Sequence, residues 1–113
     1  MLPKENRLPK KDFKLVFKKG KRIHSDYFVM LLLRNTEAKK PQLGVITSLK
    51  VGKAVKRNLA KRRIKEIFKE ILPNIAHDSQ IIVICKPAIT TIPFQQLQKE
   101  LLSAFKKGNL YKR

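Results

Sequence analysis

The stretch KVGKAVKRNLAKRRIKEIFKEILP, residues 50–73, decides how the chain is organised. Gly52 loosens its start and Pro73 closes it, so the spacing predicts a long helix over roughly 54–72. At about 100° per residue, Ala60, Ile64, Ile67, Phe68 and Ile71 fall on one apolar stripe that has to pack on a sheet. Asn58, Lys61, Arg62, Lys65 and Lys69 form a second stripe, and Arg57 continues it one turn towards the N-terminus. Glu66 and Glu70 are expected on the remaining side, so the charges are sorted by sign. A solvated helix would intersperse acids and gain ~0.2–0.5 kcal/mol per i, i+4 pair. This one forgoes those pairs and also sets cations at its N-terminal end, where the macrodipole disfavours them. A polyanion supplies the missing counter-charge. Asn58 is the uncharged member, and its amide offers donors and an acceptor that suit a sugar or base edge. A hydrogen bond to a neighbouring loop accounts for it equally well.

Before this segment, KKDFKLVFKK (10–19) sets Phe13, Val16 and Phe17 at i, i+3, i+4, which predicts a short amphipathic helix stopped at Gly20. YFVMLLLR (27–34) reads as a strand, with KRIH (21–24) as an extension of it. NTEAKKP (35–41) has turn composition and QLGVITSL (42–49) reads as the returning strand, so the two are expected to form a hairpin. After the long helix, SQIIVICKP (79–87) is nearly continuously apolar and β-branched, as in a strand buried on both faces. The last helix carries the stripe Phe94, Leu97, Leu101, Leu102 and Phe105. Thr91 is its expected cap, Pro93 lies in its first turn and Gly108 ends it, before the basic tail NLYKR (109–113). The order α-β-β(-β)-α-β-α defines one α+β domain over residues 1–113.

The composition points the same way. The chain has 113 residues, 42% of them hydrophobic, and a net charge of +19 from 27 Lys and Arg against 8 Asp and Glu. That is enough for one modest core, and the imbalance calls for a polyanionic partner. A single cysteine, Cys85, excludes an internal disulfide and fits a reducing interior. The N-terminus lacks an apolar secretory segment, and the longest apolar run, Tyr27–Leu33, falls far short of the ~20 residues of a membrane span. A cytoplasmic protein with no membrane partner is expected.

GKAVKRNLAKRRIK resembles the signature of the bacterial ribonuclease P protein component, a Gly-x-Ala-x-x-Arg-Asn-x-x-Lys-Arg pattern running into a long helix. NRLPKKDFKLVFKKGKR is similar to that family's N-terminal segment, GVITSLKVG to its strand before the motif and IIVICKPA to its last strand. The resemblance implies an α-β-β-β-α-β-α sandwich with a left-handed βαβ crossover, against a base rate of ~98% right-handed. It implies the protein subunit of a ribonucleoprotein whose RNA cuts the 5′ leader from precursor tRNA with divalent metal, Mg, and a protein monomeric apart from the RNA. The partners implied are ribonuclease P RNA and precursor tRNA. Carried over by motif, Arg57, Asn58, Lys61, Arg62 and Lys65 contact RNA, with Lys53, Lys56 and Lys69 as basic neighbours. Phe13 and Phe17 line the leader cleft, with Arg7, Phe28 and Lys50 beside them, although an i, i+4 Phe pair also suits a core. Leu59, Leu49 and Cys85 stand where the family usually has basic residues.

Catalysis by the polypeptide itself is not expected. The eight carboxylates form no pair for acid–base work or for two metals, and Cys85, His24 and His77 form no ligand cluster. Neither Gly20-Lys21 nor Gly52-Lys53 has phosphate-loop spacing. The rival reading is a generic basic RNA-binding or ribosomal protein without a role in cleavage.

Overall fold

A computed structural model describes residues 2–34 and 37–111. Positions 35 and 36 of the expected turn, and the last two residues of the basic tail, lie outside them. The elements are α1 (Lys10–Lys19), β1 (Lys21–His24), β2 (Phe28–Leu33), β3 (Gln42–Ile46), α2 (Ala54–Ile71), β4 (Gln80–Cys85) and α3 (Phe94–Lys107). Short 3₁₀ turns cover Lys4–Asn6, Leu72–Asn74 and Pro87–Thr91. The expected order of helices and strands is therefore present, with strands shorter than their apolar runs.

The four strands form one sheet in the order β1-β2-β4-β3. β1 pairs antiparallel with β2, β2 antiparallel with β4, and β3 parallel with β4. The expected hairpin between 27–34 and 42–49 is corrected here: β2 turns back on β1, and β4 separates it from β3. β4 (QIIVIC) is enclosed at five of its six positions, so its apolar side chains need cover on both faces and its backbone a neighbour on both edges. That places it in the interior of the sheet. β3, which contains Gly44, takes the edge and reaches β4 through the α2 crossover.

Side-chain alternation divides the sheet into two faces. Ile23, Phe28, Met30, Leu32, Leu43, Ile81, Val83 and Cys85 belong to the larger core with Ala60, Ile64, Ile67 and Phe68 of α2 and Leu97, Leu101, Ala104 and Phe105 of α3. Phe68 and Phe105 meet there at 6.0 Å between ring centroids. Leu31 and Ile82 turn to the opposite face and pack with Leu8 and Val16 beneath α1. The apolar stripe read from residues 54–72 is thus the buried side of α2, with Ile71 half-buried at its end. α3 begins after Pro93, which occupies the N-cap position. Thr91 does not cap it: its hydroxyl donates to Ala88 O within the preceding 3₁₀ turn. At the end of α1, Gly20 N–H donates to Val16 O at 2.7 Å and the chain enters β1 directly.

Candidate nucleic-acid interface

The turn before α2 fixes where its basic stripe begins. Val51 N–H donates to Ser48 O and Gly52 N–H to Leu49 O, while the Val51 side chain is buried as an anchor. Gly52 sits at φ 142°, a left-handed conformation that side chains rarely adopt. Lys53 occupies the N-cap position, and the first turn holds no acid. Beyond it, Asn58, Lys61, Arg62, Lys65, Glu66 and Lys69 line a groove of about 520 Å³ along the outer side of α2. The stripe is therefore continuous, but Glu66 borders it rather than lying away from it, because eight residues advance only about 80° beyond two full turns. Among the described residues, Asn58 makes no side-chain hydrogen bond, so the loop partner weighed for it is not there. The ion pairs found among them, Arg34–Asp78 and Lys40–Glu5, leave the stripe untouched.

Other predicted basic residues separate from this groove. Lys56 lies on a different flank, where it lines a hollow of about 150 Å³ with Leu59, Ala60, Arg63, Ile89, Thr90 and Leu97. Leu59, where the resemblance asks for arginine, thus faces the Pro87–Thr91 turn and α3. Arg57 is half-buried, with its Nε enclosed and without a partner among the described residues. Lys50 and Lys53 are exposed on and just after the turn.

The second element of the site is the sheet face crossed by α1. Phe13 is half-buried, and its ring lies against Gly44 so closely that a Cβ there would collide with it. Phe17, one turn on along the same flank, is 37% exposed. α1 covers Leu31 and Ile82. The next transverse row, His24–Val29–Ile84–Ile46, is aligned by register across all four strands and is left half-open. Phe28 does not belong to this face. Its partner in the register is Cys85, and its ring is fully buried in the core beneath α2 and α3. A leader-cleft role for Phe28 is thereby corrected, for the parity of β2 turns Val29 to the open face instead. Arg7 lies beside Leu43 at the outer edge of β3, with its Nε donating to Leu2 O at 3.0 Å. Val29, Ile46 and Ile84 were missed by the sequence reading. Their signal was alternation, hidden because β2 and β4 are apolar at nearly every position.

Cys85 is buried, which pushes its thiol up from 9.0 to about 12 against the opposing pull of the Lys61 ammonium. A neutral, enclosed thiol is a packing group. Among the described residues no group of three or more His, Cys, Asp or Glu stands ready to hold a metal ion. The donors among the described residues therefore do not fit a resident divalent ion.

A basic stripe on a helix, unpaired among the described residues, together with a half-open apolar sheet face flanked by phenylalanines, defines a nucleic-acid-binding α+β protein. A profile for Ribonuclease P matches residues 2–109. The Ribonuclease P protein component of Listeria innocua is 32% identical over 112 residues, covering 98% of this chain and 94% of that protein. That of Bacillus pumilus is 33% identical, covering 97% and 93%. Among solved structures, a Staphylococcus aureus RNase P protein mutant with defective mRNA degradation activity superposes with a TM-score of 0.88 at 34% identity, covering 96% of this chain and 92% of that one. The Thermotoga maritima RNase P protein superposes at 0.80 with 32% identity, covering 89% and 96%. The chain belongs to the family of ribonuclease P protein components, protein subunits of the endoribonuclease that processes tRNA 5′ ends.

Proposed function

We propose that the chain binds the RNA subunit of ribonuclease P through the α2 groove and holds the 5′ leader of precursor tRNA on the sheet face beside α1. The supporting observation is the separation of two chemistries. Asn58, Lys61, Arg62, Lys65 and Lys69 in the groove, with the half-buried Arg57 one turn before Lys61, offer charge and an amide to a phosphate backbone. Phe13, Phe17, Val29, Ile46 and Ile84 offer aromatic and apolar surface to unstacked bases. Cations track phosphates, and aromatic platforms bind single strands at about 1–3 kcal/mol per base. Arg7, Lys50, Lys53 and Lys56 add to the attraction of the RNA from positions outside these two surfaces. A generic ribosomal role would account for the groove but not for the aromatic-flanked sheet face. Residues 1–113 act as one RNA-binding unit, monomeric apart from the RNA and cytoplasmic. In this reading RNA carries out the cleavage and its phosphates hold the magnesium ions. The side chains neutralise, position and shield.

The test compares holoenzyme binding to precursor tRNA with and without its leader. The expected result is that the protein strengthens binding of the leader-bearing substrate, and that Phe17→Ala removes most of that gain while leaving leaderless tRNA unaffected. Equal strengthening of both substrates contradicts the leader role.

A further inference from the structure

We infer that the β1 edge of the sheet, with the ends of α1 and α3, is a second RNA-docking surface that holds a different RNA segment from the one on α2. This goes beyond the reading above, which uses α2 and the open sheet face only. Segments 13–25 and 101–111 each lack an acidic side chain, and the fold brings the end of one against the other. Gly20 turns α1 straight into β1, so Lys18 and Lys19 adjoin Lys21 and Arg22 without an intervening loop. Gly108, just after α3, lies against Ile23 and Leu32, where a Cβ would collide with the Leu32 side chain. That contact brings Lys107, one residue before it, to the β1 edge, while the Lys106 ammonium lies over the Tyr111 ring at 5.6 Å.

The five cations at this edge, Lys18, Lys19, Lys21, Arg22 and Lys107, are exposed, and none forms an ion pair with a described residue. Lys21 and Arg22 alternate across the edge strand, so the strand presents charge on both faces. Edge lysines deter strand-to-strand aggregation, and a helix C-terminus favours lysine. Those effects explain a cation or two on each element. They do not explain four cations in the five residues Lys18–Arg22, where Gly20 is the one uncharged position and Asp12 and Glu37, which share a hollow with Lys19, pair with none of them.

The surface is also distinct from α2. α2 follows β3, which is the other edge of the sheet. It carries Lys61 to Cys85 of β4, two strand spacings of about 4.8 Å and four residues of about 3.3 Å along the sheet from Lys21, so the two cation groups lie about 16 Å apart, beyond the Debye length of about 8 Å at physiological salt. Two anionic segments can therefore be held independently. RNA fits better than a lipid surface, because β1 and the end of α3 carry no exposed large apolar side chain to insert, and of the exposed pair on α1, Leu15 and Phe17, Phe17 lies on the flank of Phe13 towards the open sheet face.

The test is native mass spectrometry and sedimentation of the intact protein with an excess of a short RNA duplex across a salt series. Two duplexes per protein are expected. The variant K21A/R22A/K107A should retain one, and K61A/R62A/K65A should retain the other. In the edge variant the surviving step should keep its salt slope, while the lost step is the one whose slope reports about three phosphates. Circular dichroism confirms that both variants are folded, and K21E/R22E should repeat the loss if charge is the cause. A wild type that binds one duplex overturns the inference, as does a second duplex unaffected by the edge variants. Edge-dependent binding to anionic phosphatidylserine vesicles with no edge-dependent RNA step overturns it in favour of a membrane. None of these outcomes depends on whether the protein assists tRNA cleavage.

Discussion

Phe28 has its ring fully enclosed between β2 and the helices, whereas Phe17 keeps 37% of its surface in solvent. Truncating the two should therefore separate stability from binding. Phe28→Ala is expected to cost about 3–5 kcal/mol in urea unfolding, by lost burial and the cavity left behind. Phe17→Ala should cost little stability but about 1–3 kcal/mol of leader affinity. Gly44 is a third informative position. A methyl there meets the Phe13 ring, so Gly44→Ala should destabilise by about 1–3 kcal/mol through overpacking and displace Phe13 from β3, visible in a crystal structure of the variant. Cys85 gives a pH signature. Its folded-state value of about 12 lies above the 9.0 of the exposed thiol, so its contribution to stability is complete below pH 9 and falls as pH rises towards 12. Urea midpoints between pH 8 and 11 should fall more steeply for the wild type than for Cys85→Ala. The Phe28 position also marks where one-dimensional reading stopped. When β2 is apolar on both sides, composition does not say which parity faces a cleft.

At the scale of elements, α2 carries most of the information that was legible in the chain. Its length, its buried stripe and its basic groove follow from the 3.6-residue period alone, because its two stripes differ in chemistry. If the groove contacts about five phosphates, Lys61→Ala with Lys65→Ala should flatten the log–log salt slope of RNA binding by about 1–2 units. An unchanged slope would move the RNA off this face. The strands were less legible. Each was recognisable as apolar and β-branched, yet nothing local to residues 27–49 says that β4, more than thirty residues on, inserts between β2 and β3. The pairing is decided by which strand most needs two neighbours, a property of the whole sheet. Likewise Lys56, grouped by sequence with the RNA-facing cations, turns towards Ile89 and Leu97. Adjacency along a helix separates residues by about 100° rather than uniting them.

For the molecule as a whole, a charge of +19 on a body of 35 × 30 × 25 Å is tolerable because its cations are grouped where an anion can neutralise them. The core lies between the sheet and α2 and α3, which leaves the opposite face only partly roofed by α1. That asymmetry creates a half-open surface without an added domain. The most direct measurement is cleavage of a leader-bearing precursor tRNA by ribonuclease P RNA at limiting magnesium, with and without this protein. Added protein should raise kcat/KM and lower the magnesium needed, with K61A/K65A losing the effect by failing to assemble and Phe17→Ala losing it only on leader-bearing substrate. Cleavage no faster than with RNA alone, by a protein that still binds the RNA tightly, would contradict the proposed division of labour between α2 and the sheet.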